Sequence, residues 1–183
     1  MGGFCQKALI YVISLSIGTL SVGFVLGFYA AAYESQNIDF QLDTSMKASI
    51  YNAIAPICAI FGGLIINFTI ARFGRKYPTM IASAVVIIGN ILIIITKTSY
   101  KELAYVGRAI AGLGCGAVST VNPVYIAELS PTEVRGAYGV MSQLFCSIGG
   151  LLIYMFGIWL EWRPIAGISM VPPAITIIVT FFI

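Results

Sequence analysis

Charge is scarce in this sequence. Only 9% of its 183 residues are Asp, Glu, Lys or Arg, against roughly 25% in soluble domains. Histidine is missing altogether, which removes the commonest metal ligand and the side chain that titrates near neutrality. The four cysteines, Cys5, Cys58, Cys115 and Cys146, show no metal-ligand spacing, so neither a zinc site nor a disulfide framework is expected, and no cofactor is implied. The ten basic residues are scattered between apolar runs and make no stripe that would track phosphates, so nucleic acid is not an expected partner. There is no Gly-x-Ser-x-Gly elbow, no Walker loop, no pair of intramembrane carboxylates and no thiolate-base pair, so an enzyme is not expected.

Apolar sequence is what the chain has in abundance: 59% of residues are hydrophobic and the mean hydropathy is +0.96. Uncharged runs cover 8–33, 48–71, 77–96, 136–160 and 164–183, and a sixth, 103–127, is interrupted only by Arg108. Each reaches the roughly 20 residues that a helix needs to cross about 30 Å of hydrocarbon. Lipid leaves no backbone group to water, and runs this long without alternation fit helices rather than barrel strands. The expected fold is an all-α membrane protein of six spanning helices over 1–183, with the bilayer as its surroundings. The first run is about twice the length of a signal peptide's apolar region, so it is expected to remain in the mature protein.

If the helices alternate, Lys7, Arg72, Arg75, Lys76 and Arg135 fall on one side, and Lys47, Lys97, Lys101 and Arg163 on the other together with Glu34, Asp39, Asp43, Glu102 and Glu161. The bias lies in the Arg72–Lys76 cluster, and basic short loops mark the cytoplasm. The N-terminus is therefore expected inside, most simply at the plasma membrane. That topology puts the Asn67-Phe68-Thr69 sequon near the cytoplasmic end of the second helix, beyond reach of glycosylation.

Two short loops hold the remaining charge on that side. Arg72-Phe73-Gly74-Arg75-Lys76 can only be a tight turn between the second and third helices. Pro123 through Gly136 carries Glu128, Glu133 and Arg135 around the Ser130-Pro131 break, where proline removes a helix donor. The two loops lie at the same depth, and the expected arrangement is an ion-pair cluster with Glu128 between Arg75 and Arg135. Glycines at four-residue spacing in the first, fourth and fifth helices let backbones approach closely. About two turns into the fifth helix, Gln143 is an amide in an apolar segment, able to offer donor and acceptor to hydroxyls. Asn122 is a weaker candidate for that chemistry, read first as a residue that caps or glues helices, and Arg108 is read as structural, snorkelling or pairing.

In order and spacing these residues resemble the amino-terminal half of a sugar porter of the major facilitator superfamily. The matching features are Arg72-Phe73-Gly74-Arg75-Lys76, Gly107-Arg108 with Gly112, Gly114 and Gly116, the run Pro123, Tyr125, Glu128, Pro131, Arg135, Gly136, then Gln143, and Trp162-Arg163. The stretch from Gly18 to Gly27 is similar to the first helix of facilitated trehalose and glucose carriers. The resemblance implies sugar transport by facilitated diffusion, sugar contact at Gln143, a gating network of Arg72, Arg75, Lys76, Glu128 and Arg135, and structural roles for Gly74, Pro123, Pro131 and Gly136. It departs at Asn67 and Ala71, where the family has glycine and an acid; without that acid, closure rests more on Glu128. Proton-coupled members often carry an aspartate after the Gly-aromatic pair of the first helix, where Gly23-Phe24 is here followed by Val25, so uniport is implied. Family members have two six-helix halves, so the carboxy-terminal half is expected to be absent from these 183 residues, with it or a second six-helix bundle as the implied partner. The alternative is a truncated, non-transporting six-helix protein that only binds or regulates.

Overall fold

The structure, a computed structural model, describes residues 2–40, 45–96, 102–130 and 133–182. The side chains of 2–10, 34, 37–40 and 45 are not among those described. Pro131 therefore lies outside the described residues, as do the side chains of Lys7, Glu34, Asp39, Asp43, Lys97 and Lys101. Among the described residues seven helices follow in order: α1 Gly2–Phe40, α2 Ser45–Phe73, α3 Lys76–Ile95, α4 Glu102–Leu129, α5 Arg135–Trp159, α6 Trp162–Ile168 and α7 Val171–Phe182. Six stretches of the described residues are long and apolar enough to cross a bilayer, the sixth being α6 and α7 taken together.

The sixth span departs from the single helix expected over 164–183. Pro172 and Pro173 have no N–H to give to the carbonyls of Ile168 and Ser169, so the α-helical ladder cannot run through. The chain makes a tight turn instead, with Met170 N–H donating to Gly167 O at 3.1 Å, and the ladder resumes when Ala174 N–H donates to Met170 O at 3.1 Å. Ser169 Oγ donates to Ile165 O at 2.8 Å and caps the broken end. The first helix also runs beyond the expected 8–33, because hydropathy marks where lipid ends and not where helical hydrogen bonding does.

Helices α1 and α4 form the centre. The first packs along α5, α4 and α7, and α4 packs along α2 and α3. Along the α1–α5 seam a Cβ on Gly23 would meet the Cys146 carbonyl, and one on Gly149 would meet the Leu20 carbonyl. The α2–α4 seam repeats the pattern, with Gly62 on Leu113 O and Gly116 on Ala59 O. Between bilayer lipids there is no water to expel, so dispersion between closely approaching backbones must supply the association. Phe24, Phe28, Tyr51, Trp162 and Ile165 fill one end of the bundle, and Val12, Leu15, Tyr125 and Ile126 the other.

The α2–α3 connection turns on Gly74, whose φ of 74° lies where side chains are strained. Gly136 has nothing within 4 Å of where its Cβ would stand. These glycines make opposite predictions. Gly116→Val forces a branched side chain against the α2 backbone and is expected to cost about 1–3 kcal/mol, read as a lower melting temperature of the detergent-solubilised chain, whereas Gly136→Ala leaves melting unchanged.

Candidate substrate face and charge clasp

The Gly74 turn aims the next two residues in different directions. Arg75 reaches the end of α4, where its Nε donates to Glu128 Oε1 at 3.0 Å and Oε2 at 2.9 Å and its Nη2 donates to Oε1 at 2.6 Å. This is a forked, charge-assisted pair, and the bond to Glu128 pushes the Arg75 pKa further above its ordinary value. Lys76 turns the other way, its Nζ donating to the Phe181 carbonyl on α7 at 3.2 Å. One tight turn thus ties the ends of α4 and α7 together.

The expected second partner of Glu128 is not engaged. Among the described residues Arg135, Arg72 and Glu133 form no ion pair. The Arg75 fork occupies both Glu128 oxygens, and Arg135 is the first residue of α5, across the Ser130 break from Glu128. The cluster reduces to a single clasp.

Two recesses lie against α1 and α4, one completed by α2 and the other by α5. One recess of 480 Å³ lies between α2 and α4, lined in part by Leu26, Pro56, Asn67, Ser119 and Thr120. A smaller one of 70 Å³ lies between α4 and α5, walled by Thr19, Ser119, Pro123, Ser142, Gln143 and Cys146. Gln143 is exposed there and its amide has no hydrogen-bond partner among the described residues, so donor and acceptor are both free. Pro123, inside α4, has no N–H for the carbonyl four residues back, which releases the carbonyl of Ser119, a residue of the same recess, from the helical ladder. Thr120 Oγ and Ser119 Oγ both donate to Gly116 O at 2.9 Å, and each keeps lone pairs for an incoming donor. Ser119 and Thr120 were not singled out from the sequence. The signal that finds them is a hydroxyl pair one turn before a proline inside an apolar helix.

Asn122 and Arg108 are placed elsewhere. Asn122 is fully buried and its Nδ2 donates to Leu15 O at 3.0 Å, joining α4 to α1 away from the recess. Arg108 does not snorkel. It is 1% exposed, its Nη1 donates to Val25 O at 3.1 Å, and its guanidinium carbon lies 5.6 Å from the Phe28 ring centre and 5.4 Å from that of Tyr51. A carbonyl and two aromatic faces hold the charge, and among the described residues no carboxylate does.

A six-span helical bundle with a polar face bounded by two central helices, clasped at one end by a basic turn, is the architecture of a secondary carrier's half. The chain belongs to the sugar (and other) transporter family, whose profile matches residues 11–183. It is 33% identical to the cattle solute carrier family 2, facilitated glucose transporter member 8, across 97% of this chain and 37% of that protein. It is 31% identical to sugar transporter ERD6-like 6 of Arabidopsis thaliana, across 94% and 35%, and 31% to the silkworm facilitated trehalose transporter Tret1, across 89% and 32%. The inward-open xylose transporter XylE from E. coli shares the fold, with a TM-score of 0.84 at 23% identity, across 96% of this chain and 48% of that one. The chain thus spans about a third of the length of these curated relatives and about half of that solved carrier. It is a multi-pass integral membrane protein of a transporter, not an enzyme, family.

Removing the carboxylate tests the clasp. The pair is partly exposed, 31% at Arg75 and 48% at Glu128, so Glu128→Gln is expected to change global stability by no more than about 1 kcal/mol. Amide exchange at residues 74–76 should nevertheless quicken, and unchanged exchange there would reject the clasp.

Proposed function

We propose that this chain is the amino-terminal half of an alternating-access carrier that moves a sugar of the glucose or trehalose class down its gradient. The observation that carries the reading is Gln143: a free amide at the mouth of a recess, beside the released carbonyl of Ser119 and hydroxyls at Thr19 and Ser119. Sugars present closely spaced hydroxyls that donate and accept at once, and this set answers both. The named activities of the glucose and trehalose relatives support the substrate class. Asn122, buried with its Nδ2 on Leu15 O, ties the two central helices together rather than touching the sugar.

In this reading the basic turn faces the cytoplasm of the plasma membrane, with the N-terminus inside. The Arg75–Glu128 clasp, flanked by Arg72, Lys76 and Arg135, belongs to the closure of that side. The exposed faces of α2 and α5 meet a second six-helix bundle, the carboxy-terminal half in a full-length carrier.

The test is uptake by a carrier in which this chain forms the amino-terminal half. Labelled D-glucose or trehalose should enter saturably and L-glucose should not. Gln143→Leu loses a hydrogen bond without changing the fold, and its KM should rise about tenfold. A wild-type carrier without stereoselective uptake would overturn the reading.

Coupling is expected to be absent. Proton symport needs an ionisable group beside the substrate that exchanges protons. Residues 8–33 contain no acid, and Arg108 is held by the Val25 carbonyl, a partner that does not titrate. Uptake should therefore be indifferent to a pH gradient, and sugar-dependent acidification abolished by a protonophore would defeat the uniport reading.

A further inference from the structure

A third and larger recess lies at the end of the bundle opposite the Arg75–Glu128 clasp. It has a volume of 1060 Å³ between the ends of α1 and α5, and its walls include Tyr33, Ser35, Tyr154, Trp159 and Glu161. The aromatic rings are open, with Tyr33 41%, Tyr154 50% and Trp159 79% exposed. Tyr33 is braced from behind by an edge-on contact with Tyr29, ring centres 5.4 Å apart.

Aromatic residues at a membrane end are ordinarily a belt at the lipid headgroups. Helical register argues against that for Tyr33 and Tyr154, and Trp159, at the end of α5, closes the same recess from its other side. On α5, Gln143, Ser147, Gly150 and Tyr154 follow at steps of four, three and four residues, one stripe of a 3.6-residue helix. On α1, Thr19 and Val22 line the Gln143 recess, Val22 and Leu26 the α2–α4 recess, and Ala30 and Tyr33 the aromatic one. These five also form a single stripe. If the α5 stripe faced lipid, the unpartnered Gln143 amide would lie about 12 Å into the span in hydrocarbon, where a polar group without a partner is costly. The stripe therefore faces the cleft between this bundle and the second one rather than lipid, and the aromatic recess is its continuation about 16 Å along α5 from Gln143 to Tyr154.

We infer that this recess is an outer subsite for a pyranose, distinct from the Gln143 site; the inference rests on the sugar-carrier reading above. Ring faces of Tyr154 and Trp159 are large, rigid surfaces for the C–H face of a sugar ring, with an electron-rich face toward it. The Glu161 carboxylate accepts from its hydroxyls, and the Ser35 hydroxyl, which donates to Ala32 O at 3.1 Å, still accepts. A sugar held there stands at the head of the α1 stripe, already oriented toward Gln143.

The chain carries its own reporter. Trp159 and Trp162 are its only tryptophans, and Trp162 is 2% exposed, so a fluorescence change on ligand binding at the recess reports Trp159. The experiment titrates the full chain in lipid nanodiscs with D-glucose, using mannitol, an acyclic polyol of similar hydroxyl chemistry, as the control. A saturable emission shift with D-glucose and none with mannitol is expected, and Trp159→Phe should abolish it. Tyr154→Ala should weaken the apparent affinity about tenfold, while Tyr154→Phe, which keeps the ring, restores it. Gln143→Leu should leave the shift intact while impairing uptake. No shift, an equal shift with mannitol, or a shift lost in Gln143→Leu overturns the outer subsite. Stereoselective uptake without the shift leaves the transport reading standing, and loss of both removes the sugar reading itself.

Discussion

Direct contact between helix backbones is the constraint from which the rest of this structure follows. In lipid, apolar side chains gain nothing by leaving solvent, and helices associate only as far as their surfaces fit. Glycine at Gly23 and Gly149 on one seam, and at Gly62 and Gly116 on the other, brings α5 onto α1 and α2 onto α4 at carbonyl contact. That closeness leaves α1 and α4 central and displays the small polar side chains of Thr19, Ser119 and Gln143 on one side. Larger residues at the seams would push the helices apart and dissolve the recesses between them.

The six spans were legible because a bilayer imposes a single length and forbids unpaired backbone, so hydropathy alone counts the helices. The Pro172-Pro173 break was not, although both prolines are plain in the sequence, because a transmembrane proline often bends a helix without ending it, and only the fate of the carbonyls behind it decides which. At the charged end, the sequence placed Arg75, Glu128 and Arg135 at one depth, and depth is all that a loop assignment conveys. Which arginine takes the carboxylate depends on the direction each leaves its helix, and Gly74 supplies that direction for Arg75 alone.

The polar face shows the same division. Gln143 stood out as an amide in an apolar run and Asn122 as the weaker candidate, and three dimensions separate them: one opens onto a recess and the other is buried, its Nδ2 donating to Leu15 O. Ser119 and Thr120 were invisible in composition because hydroxyls that bond back to their own helix are common in membranes. Their significance comes from Pro123, which frees a carbonyl beside them, and from α5, which brings Gln143 across. A site assembled from three helices cannot be read from any one of them.

Arg108 has an electrical consequence. A fixed positive charge inside a low-dielectric bundle, neutralised by no acid among the described residues, projects its field along the neighbouring helices. At an effective dielectric constant near 20, a monovalent cation about 10 Å away feels a repulsion of about 1–2 kcal/mol, while an uncharged sugar feels almost none. The same residue that fastens α4 to the Val25 carbonyl therefore makes the bundle interior around it less hospitable to a cation than to a neutral solute.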